Sequence, residues 1–78
     1  MKLKILSPDK TFFDAEIISI ILPGTLGKFE ILKDHAPLIS SLTKGEIRVV
    51  NTDEKKENFE IKGGSVEVLN NEISVLVD

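Results

Sequence analysis

The sequence predicts an all-β fold, a small antiparallel β-sandwich or flattened barrel of about 8 to 10 strands. Apolar and polar residues alternate with a period of two along most of the chain, and helical spacing is almost absent. Turn-forming residues separate these alternating segments at regular intervals. With 78 residues, of which 41% are hydrophobic and 29% charged, the chain suffices for one globular domain, residues 1–78.

The first half of the chain contains two segments with strand patterns. Lys2–Ile5 alternates cleanly, and Ser7–Lys10 follows with the proline and aspartate of a turn. A short second strand over residues 10–14 is predicted to continue into Glu16–Leu22, where β-branched residues dominate. Pro23 and Gly24 are predicted to end it, because both residues commonly interrupt strands.

This second strand is apolar on both faces. Simple alternation places Ile18, Ile20 and Leu22 on one face and Ile17, Ser19 and Ile21 on the other. One set is expected in the core, and the other set is expected to face away from it. Four residues are predicted to form spare apolar surface: Ile17, Ile21, Val50 and Leu76. Such surface indicates either a protein interface or cover by loops and a curled sheet, and the pattern leaves both open.

The second half continues the β pattern. After a loop that starts at Lys33, an apolar run ending at Leu42 resembles a strand. The further predicted strands, in order, are Glu46–Val49, Asn58–Lys62, Val66–Val68 and Ile73–Val77. Their connections are a charged turn around Asp53, a bend at Gly63-Gly64 and a two-residue turn at Asn70-Asn71.

Composition argues against several functions. The 13 acidic and 10 basic residues give a net charge of −3 with interleaved signs, and tryptophan and tyrosine are absent, which disfavours nucleic-acid binding. Without cysteine there is no disulfide, thiol nucleophile or cysteine-based zinc site. No apolar run approaches the ~18 residues of a membrane span, so a soluble protein is expected, one that could sit beside a membrane.

His35, the only histidine, is the first candidate for chemistry. Glu30 and Asp34 lie nearby, but they do not form a recognised metal-ligand spacing with it. Ser40 and Ser41 lie in the strand-like run without a nucleophile elbow, so a hydrolase triad is disfavoured. We therefore predict a structural or interface role for His35, with no catalytic residue and no metal site.

The segment from Gly24 to Lys28 allows two interpretations. Its glycines suggest a phosphate cradle, but neither a P-loop signature nor a following helix is present, which favours a plain turn. Alternating charges lie beside it, at Lys28, Glu30, Lys33 and Asp34. These charges fit either a loop that docks on a polar partner or an ordinary solvated loop.

Three longer stretches carry a family resemblance: "LKILSPDKTFFDAEIISIILPGTLGKFEIL", "DHAPLISSLTKGEIRVV" and "IKGGSVEVLNNEISVLVD". The most specific pieces are His-Ala-Pro-Leu at 35–38, Gly-Glu-Ile-Arg at 45–48 and Gly-Gly-Ser-Val-Glu-Val at 63–68. In this order and spacing, the chain resembles the N-terminal β-sandwich of the ε subunit of rotary ATP synthases, called δ in mitochondria. The resemblance covers essentially all 78 residues.

The resemblance implies a non-catalytic subunit of the central stalk, or rotor, without a cofactor. It would bind the γ subunit and the polar loops of the c-ring, coupling proton flow to ATP synthesis, at the cytoplasmic face of the bacterial inner membrane as a peripheral protein. By the same resemblance, the γ-binding positions are Ser7, His35, Pro37 and Ser40. The positions facing the c-ring are Thr25, Lys28 and Glu30.

The chain departs from the family pattern in two places. The usual glycine before an apolar pair and the Pro-Asn or Pro-Gly before the histidine are replaced by Glu30, Lys33 and Asp34. The sequence also ends after the sandwich, so no C-terminal helical hairpin is expected. Two other functions stay open at this stage, a biotinyl- or lipoyl-type carrier domain with a modified lysine near Lys55-Lys56, and a small ligand-binding barrel.

Overall fold

The computed structural model describes residues 1–78 as eight β-strands without a helix. The strands are β1 (Lys2–Leu6), β2 (Thr11–Gly24), β3 (Gly27–Ile31), β4 (Leu38–Leu42), β5 (Gly45–Asn51), β6 (Lys56–Ile61), β7 (Gly64–Leu69) and β8 (Glu72–Val77). The all-β class and the expected number of strands are thus confirmed. Strand β3 was not predicted, and β2 continues through Pro23 to Gly24 instead of ending before them. No helix of the structure has the length and hydropathy needed to cross a membrane.

The long strand β2 joins two layers of the sandwich. Its first half pairs with β1, and its second half pairs with β3 and β5. One layer runs β1-β8-β7-β4, and the other contains β3, the second half of β2, β5 and β6. A strand of 14 residues can serve both layers because it is more than twice as long as a typical strand.

The first and last strands pair in parallel. Leu3 lies opposite Ile73 and Ile5 opposite Val75, with the register continuing to Leu6 and Leu76. All other pairings are antiparallel. The predicted antiparallel sandwich is confirmed with this one parallel pair added, because closing the sandwich brings two strands together that no hairpin connects.

A β-bulge in β2 changes which isoleucines enter the core. The register with β5 shifts between Ile17 and Ser19, so Ile18 is the extra residue of the bulge. Ile17 is only 3% exposed and Ile20 is fully buried, whereas Ile18 is 44% exposed. The predicted face of Ile18, Ile20 and Leu22 is therefore wrong at its first member, since alternation holds only on each side of a bulge.

Conservative truncation of the two isoleucines distinguishes the bulged register from simple alternation. We expect Ile17→Val to lower the free energy of unfolding by about 1 kcal/mol, because it removes a buried methylene. Ile18→Val should stay within ~0.5 kcal/mol of the wild type, because its side chain is largely in water. Urea unfolding of both variants measures the difference, and equal effects would contradict the bulge.

The core lies between the two layers and is entirely apolar. Fifteen hydrophobic side chains are buried, and no polar or charged residue is. Fully enclosed members come from both layers, such as Leu3 and Val75 from one and Ile47 and Val49 from the other. At one side, Phe13 and Phe59 meet edge to face with ring centroids 5.8 Å apart. The aromatic pair links β2 to β6 and adds to the burial energy.

Gly64 allows β7 to approach β8 closely. It pairs with Val77 at the start of the hairpin and has a φ of +156°, outside the usual range of residues with a side chain. A Cβ at this position would overlap the backbone carbonyl oxygen of Leu76. The sequence predicted a bend at Gly63-Gly64, and the close approach of Leu76 explains why position 64 requires glycine.

Candidate partner-binding surface

The outer face of β4, β7 and β8 exposes large apolar side chains. Ile39 of β4 is 78% exposed, Leu69 of β7 is 50% exposed and Leu76 of β8 is 55% exposed. We call these three residues the apolar face. Large exposed apolar side chains on one sheet face are a typical feature of contacts with other proteins.

Strand register places these residues on the same side of the sheet. Ile39 lies opposite Glu67, two positions from Leu69 along β7. Leu76 lies opposite Ser65, two positions from Glu67 in the other direction. Because alternate residues of a strand share a face, all three side chains point outward, while Val66 and Val68 between them point into the core.

A shallow groove of about 370 Å³ runs along one end of this face. Its lining includes Pro37 and Ile39 on one side and Glu67 and Leu69 on the other. Four of its six lining residues are hydrophobic, so it suits an apolar side chain better than a charged one. The groove therefore extends the apolar face toward the loop between β3 and β4.

That loop carries two of the four positions that the resemblance assigns to γ binding. His35 and Pro37 are both exposed. The Nδ1 atom of His35 lies 2.7 Å from the carbonyl oxygen of Ala36, and since a carbonyl only accepts, Nδ1 carries the proton in this bond. The imidazole thus sits on the surface beside the groove, with its polar contact made to the adjacent backbone.

The other two positions lie apart from His35. Ser40 is half-buried on β4, with its side chain on the inner side of the strand beside Ile39. Ser7 lies in the turn after β1, where its backbone N–H donates to the carbonyl oxygen of Lys10 at 2.8 Å. The strand register puts Ser7 at the end of the sheet opposite to Pro37, so the four residues border one layer without forming one cluster.

The β2–β3 hairpin holds the positions that the resemblance assigns to the c-ring. Thr25, Lys28 and Glu30 are all exposed, Thr25 in the turn and the other two on β3. Leu26 at the tip is fully exposed as well. Gly24 is buried against Phe29, where an added Cβ would lie 2.8 Å from the Phe29 ring. The structure therefore confirms a turn here, and it opens no helix that could hold a phosphate.

The outer face of the second layer is charged. Glu46 and Arg48 of β5 form an ion pair, with 2.9 Å between Nε and Oε1. Glu60 of β6 lies opposite Glu46, and Glu30 of β3 lies opposite Ile21 of β2. The outer face of the first layer also carries charges, among them Glu67 and Glu72, so its distinguishing feature is the three large exposed apolar side chains.

Sequence reasoning found part of the apolar face. Of the four predicted spare residues, Leu76 is exposed, Ile21 and Val50 are half-buried, and Ile17 is in the core. Ile39 and Leu69 were missed. The alternation of Leu38 to Leu42 could have identified Ile39, because the buried Leu42 shares its face with Leu38 and Ser40 and so leaves Ile39 outside.

Groups of three or more histidine, cysteine, aspartate or glutamate side chains that could hold a metal ion do not occur in the structure. His35 lies on the surface, and Asp34 beside it contacts the β7–β8 turn through Asn71. The arrangement offers surfaces for contact with other proteins.

Fold and surface together define a class, a small β-sandwich module with exposed apolar side chains on the outer face of one layer. A family model described as the ATP synthase delta/epsilon chain β-sandwich domain matches residues 1–78. An ATP synthase epsilon chain from Chlorobium limicola is 42% identical over 77 residues, which cover 99% of this chain and 88% of that one. Another from Thermosynechococcus vestitus is 41% identical, and this chain spans 56% of its length. The chain belongs to the ATP synthase delta/epsilon family.

Solved structures agree on the fold. A chain of the Euglena gracilis mitochondrial ATP synthase, in a structure of OSCP, F1 and the c-ring, superposes with a TM-score of 0.89 at 21% identity. The match covers 96% of this chain and 48% of that one. A chain from the central stalk and c-ring of the Tetrahymena thermophila mitochondrial ATP synthase gives 0.83 at 23% identity. As a member of this family, the chain is a subunit of an enzyme complex, the ATP synthase.

Proposed function

We propose that this chain is a non-catalytic subunit of the central stalk of a rotary, proton-translocating ATP synthase. In this role it binds the γ subunit and the polar loops of the c-ring and helps to couple ion flow to ATP synthesis. Its site of action is the cytoplasmic face of the bacterial inner membrane, as a peripheral protein. Family membership supports the assignment, as does the same fold in a chain of the Tetrahymena thermophila central stalk and c-ring.

One observation carries the γ-binding part of the proposal, the apolar face formed by Ile39, Leu69 and Leu76. A stalk subunit must stay attached while the rotor turns under load, and buried apolar area at an interface supplies that attachment. On the outer face of the second layer, the apolar side chains of Ile21 and Val50 are half-buried instead of fully exposed. In this proposal γ covers the apolar face and the adjoining loop with His35 and Pro37, and Ser7 and Ser40 lie at its margins.

The β2–β3 hairpin is proposed to face the c-ring. Thr25, Lys28 and Glu30 present a hydroxyl and charges of both signs at one end of the molecule, which suits contact with polar loops. Contacts of this kind orient a partner and depend on salt more than apolar contacts do.

Co-purification with the γ subunit from the same source tests the proposal, followed by ATP-driven proton pumping with and without this chain. We expect a stoichiometric complex, and we expect pumping to depend on it. Failure to form a complex at micromolar concentrations would overturn the assignment. Mass spectrometry of the native protein checks the carrier alternative, which requires a covalently modified lysine.

A further inference from the structure

Two hydrogen bonds join the β3–β4 loop to the β7–β8 turn. The backbone N–H of Asp34 donates to Oδ1 of Asn71 at 2.7 Å, and Nδ2 of Asn71 donates to Oδ1 of Asp34 at 2.8 Å. The two residues are 37 positions apart in the chain. We call this reciprocal contact the Asp34–Asn71 clamp.

The backbone around the clamp is already constrained. Asp34 has a φ of +64° and Asn71 a φ of +61°, the left-handed region that aspartate and asparagine tolerate better than most residues. The backbone oxygen of Asn71 also accepts a hydrogen bond from the N–H of Lys2 at 3.0 Å. Asn71 therefore connects the turn, the start of β1 and the loop at a single residue.

The clamp is the only place where a side chain hydrogen-bonds this loop to the rest of the fold. Within the loop, the N–H of His35 donates to the carbonyl oxygen of Leu32 at 3.2 Å, and the His35 ring makes its hydrogen bond to Ala36. Without the clamp, no side-chain hydrogen bond would tie residues 32–37 to the β7–β8 turn. Exposed loops held so weakly sample many conformations.

The position of the clamp relates it to the apolar groove. Leu69 and Pro37 form opposite sides of the groove, two residues before Asn71 and three residues after Asp34. The pairing of β4 with β7 sets the width of the groove, with Leu38 opposite Val68, and the clamp ties the loop beside Pro37 to the turn after Leu69. A surface preformed in this way avoids the entropy loss of ordering a loop at the moment of binding.

We propose that Asn71 is a positioning residue for the γ-binding surface, holding the loop with His35 and Pro37 in its binding conformation. This inference rests on the proposed function, since it needs γ as the partner of the groove. Asn71 acts through Asp34 and the loop, so its replacement should weaken binding more than it destabilises the fold.

An exchange of the two side chains tests the clamp. Asn71→Asp alone puts two carboxylates face to face, and we expect it to weaken binding to γ by about three- to tenfold. Adding Asp34→Asn places an amide donor opposite the new carboxylate at position 71, which still accepts from the backbone N–H of residue 34. The affinity of the double variant for γ should therefore return to within ~twofold of the wild type. Asn70→Asp is the matched control, with the same added charge one residue earlier at another positive φ.

Two further measurements separate positioning from stability. Hydrogen exchange of the Asp34 amide in the free chain should speed up in Asn71→Asp and recover in the double variant, with thermal unfolding little changed. Asn71→Gly serves as a second variant if Asn71→Asp fails to fold, because glycine accepts the positive φ and removes both bonds without adding charge.

The outcomes distinguish the two proposals. If the wild type does not bind γ, the proposed function fails. If the wild type binds and Asn71→Asp binds equally well, or if the double variant is not rescued, the positioning role of Asn71 is wrong while the proposed function stands.

Discussion

Replacing Ile39 with arginine is expected to weaken the binding of this chain to γ by at least about 100-fold, because central apolar side chains dominate the energy of interfaces. The arginine would place a charge that needs water in the middle of the apolar face. Burying that charge at an interface costs more than the loss of the isoleucine contact alone, because even an ion pair with the facing Glu67 seldom repays the loss of water around both groups.

The fold should tolerate this change. Ile39 is 78% exposed, so arginine meets no core residue, and it lies opposite Glu67, which offers it an opposite charge across the strands. We expect the free energy of unfolding to stay within ~0.5 kcal/mol of the wild type. Titration with a γ-containing complex, beside urea unfolding of the free chain, measures both effects.

Ile18→Arg is the matched control for this experiment. Ile18 is also an exposed isoleucine in a strand, 44% accessible, but it lies on the β2 bulge outside the apolar face. Its replacement should leave binding unchanged. Wild-type affinity in Ile39→Arg, or an equal loss in both variants, would show that γ does not bind through the apolar face.

Gly64→Ala is expected to have the largest effect on stability, about 3 kcal/mol or more. The new methyl group would overlap the carbonyl oxygen of Leu76, a backbone atom that cannot rotate away. Relief requires β7 and β8 to separate, which breaks the pairing of Gly64 with Val77. A loss of this size is a large part of the total stability expected for a small domain.

Gly27→Ala is the comparison that isolates the overlap. Gly27 also has a positive φ, +129°, but an added Cβ there meets nothing within 4 Å. Only the conformational strain of about 1 to 3 kcal/mol should apply. Thermal and urea unfolding of both variants measure the difference, and equal losses would mean that φ alone, not the close approach of β8, requires glycine at position 64.

Local patterns predicted most strands, because alternation and turn signals depend only on neighbouring residues. Alternation located β1, β5, β6, β7 and β8, and turn residues separated them. Strand β3 was missed because its five residues follow the glycine-rich turn directly, so the segment read as part of a loop. The short alternation of Lys28 to Ile31 is a signal that a stricter search would have found.

The remaining differences between the predicted and the observed structure involve contacts between residues that are distant in sequence. Nothing local to β1 or β8 indicates that they pair, and nothing near Ile18 marks a bulge except its register with β5. For the same reason, the sequence identified the segment with His35 and Pro37 as a possible interface but not the clamp that holds it. Asp34 and Asn71 are each ordinary turn residues until the fold brings them together.

The parallel pairing of β1 with β8 also has a consequence for biosynthesis. A ribosome makes β1 first, and β1 can form its antiparallel pair with β2 as soon as residues 11–16 have emerged. Its other edge has no partner until residues 72–76 are made. Throughout elongation, therefore, one edge of β1 stays unpaired, and unpaired strand edges are the sites at which β-proteins most readily aggregate.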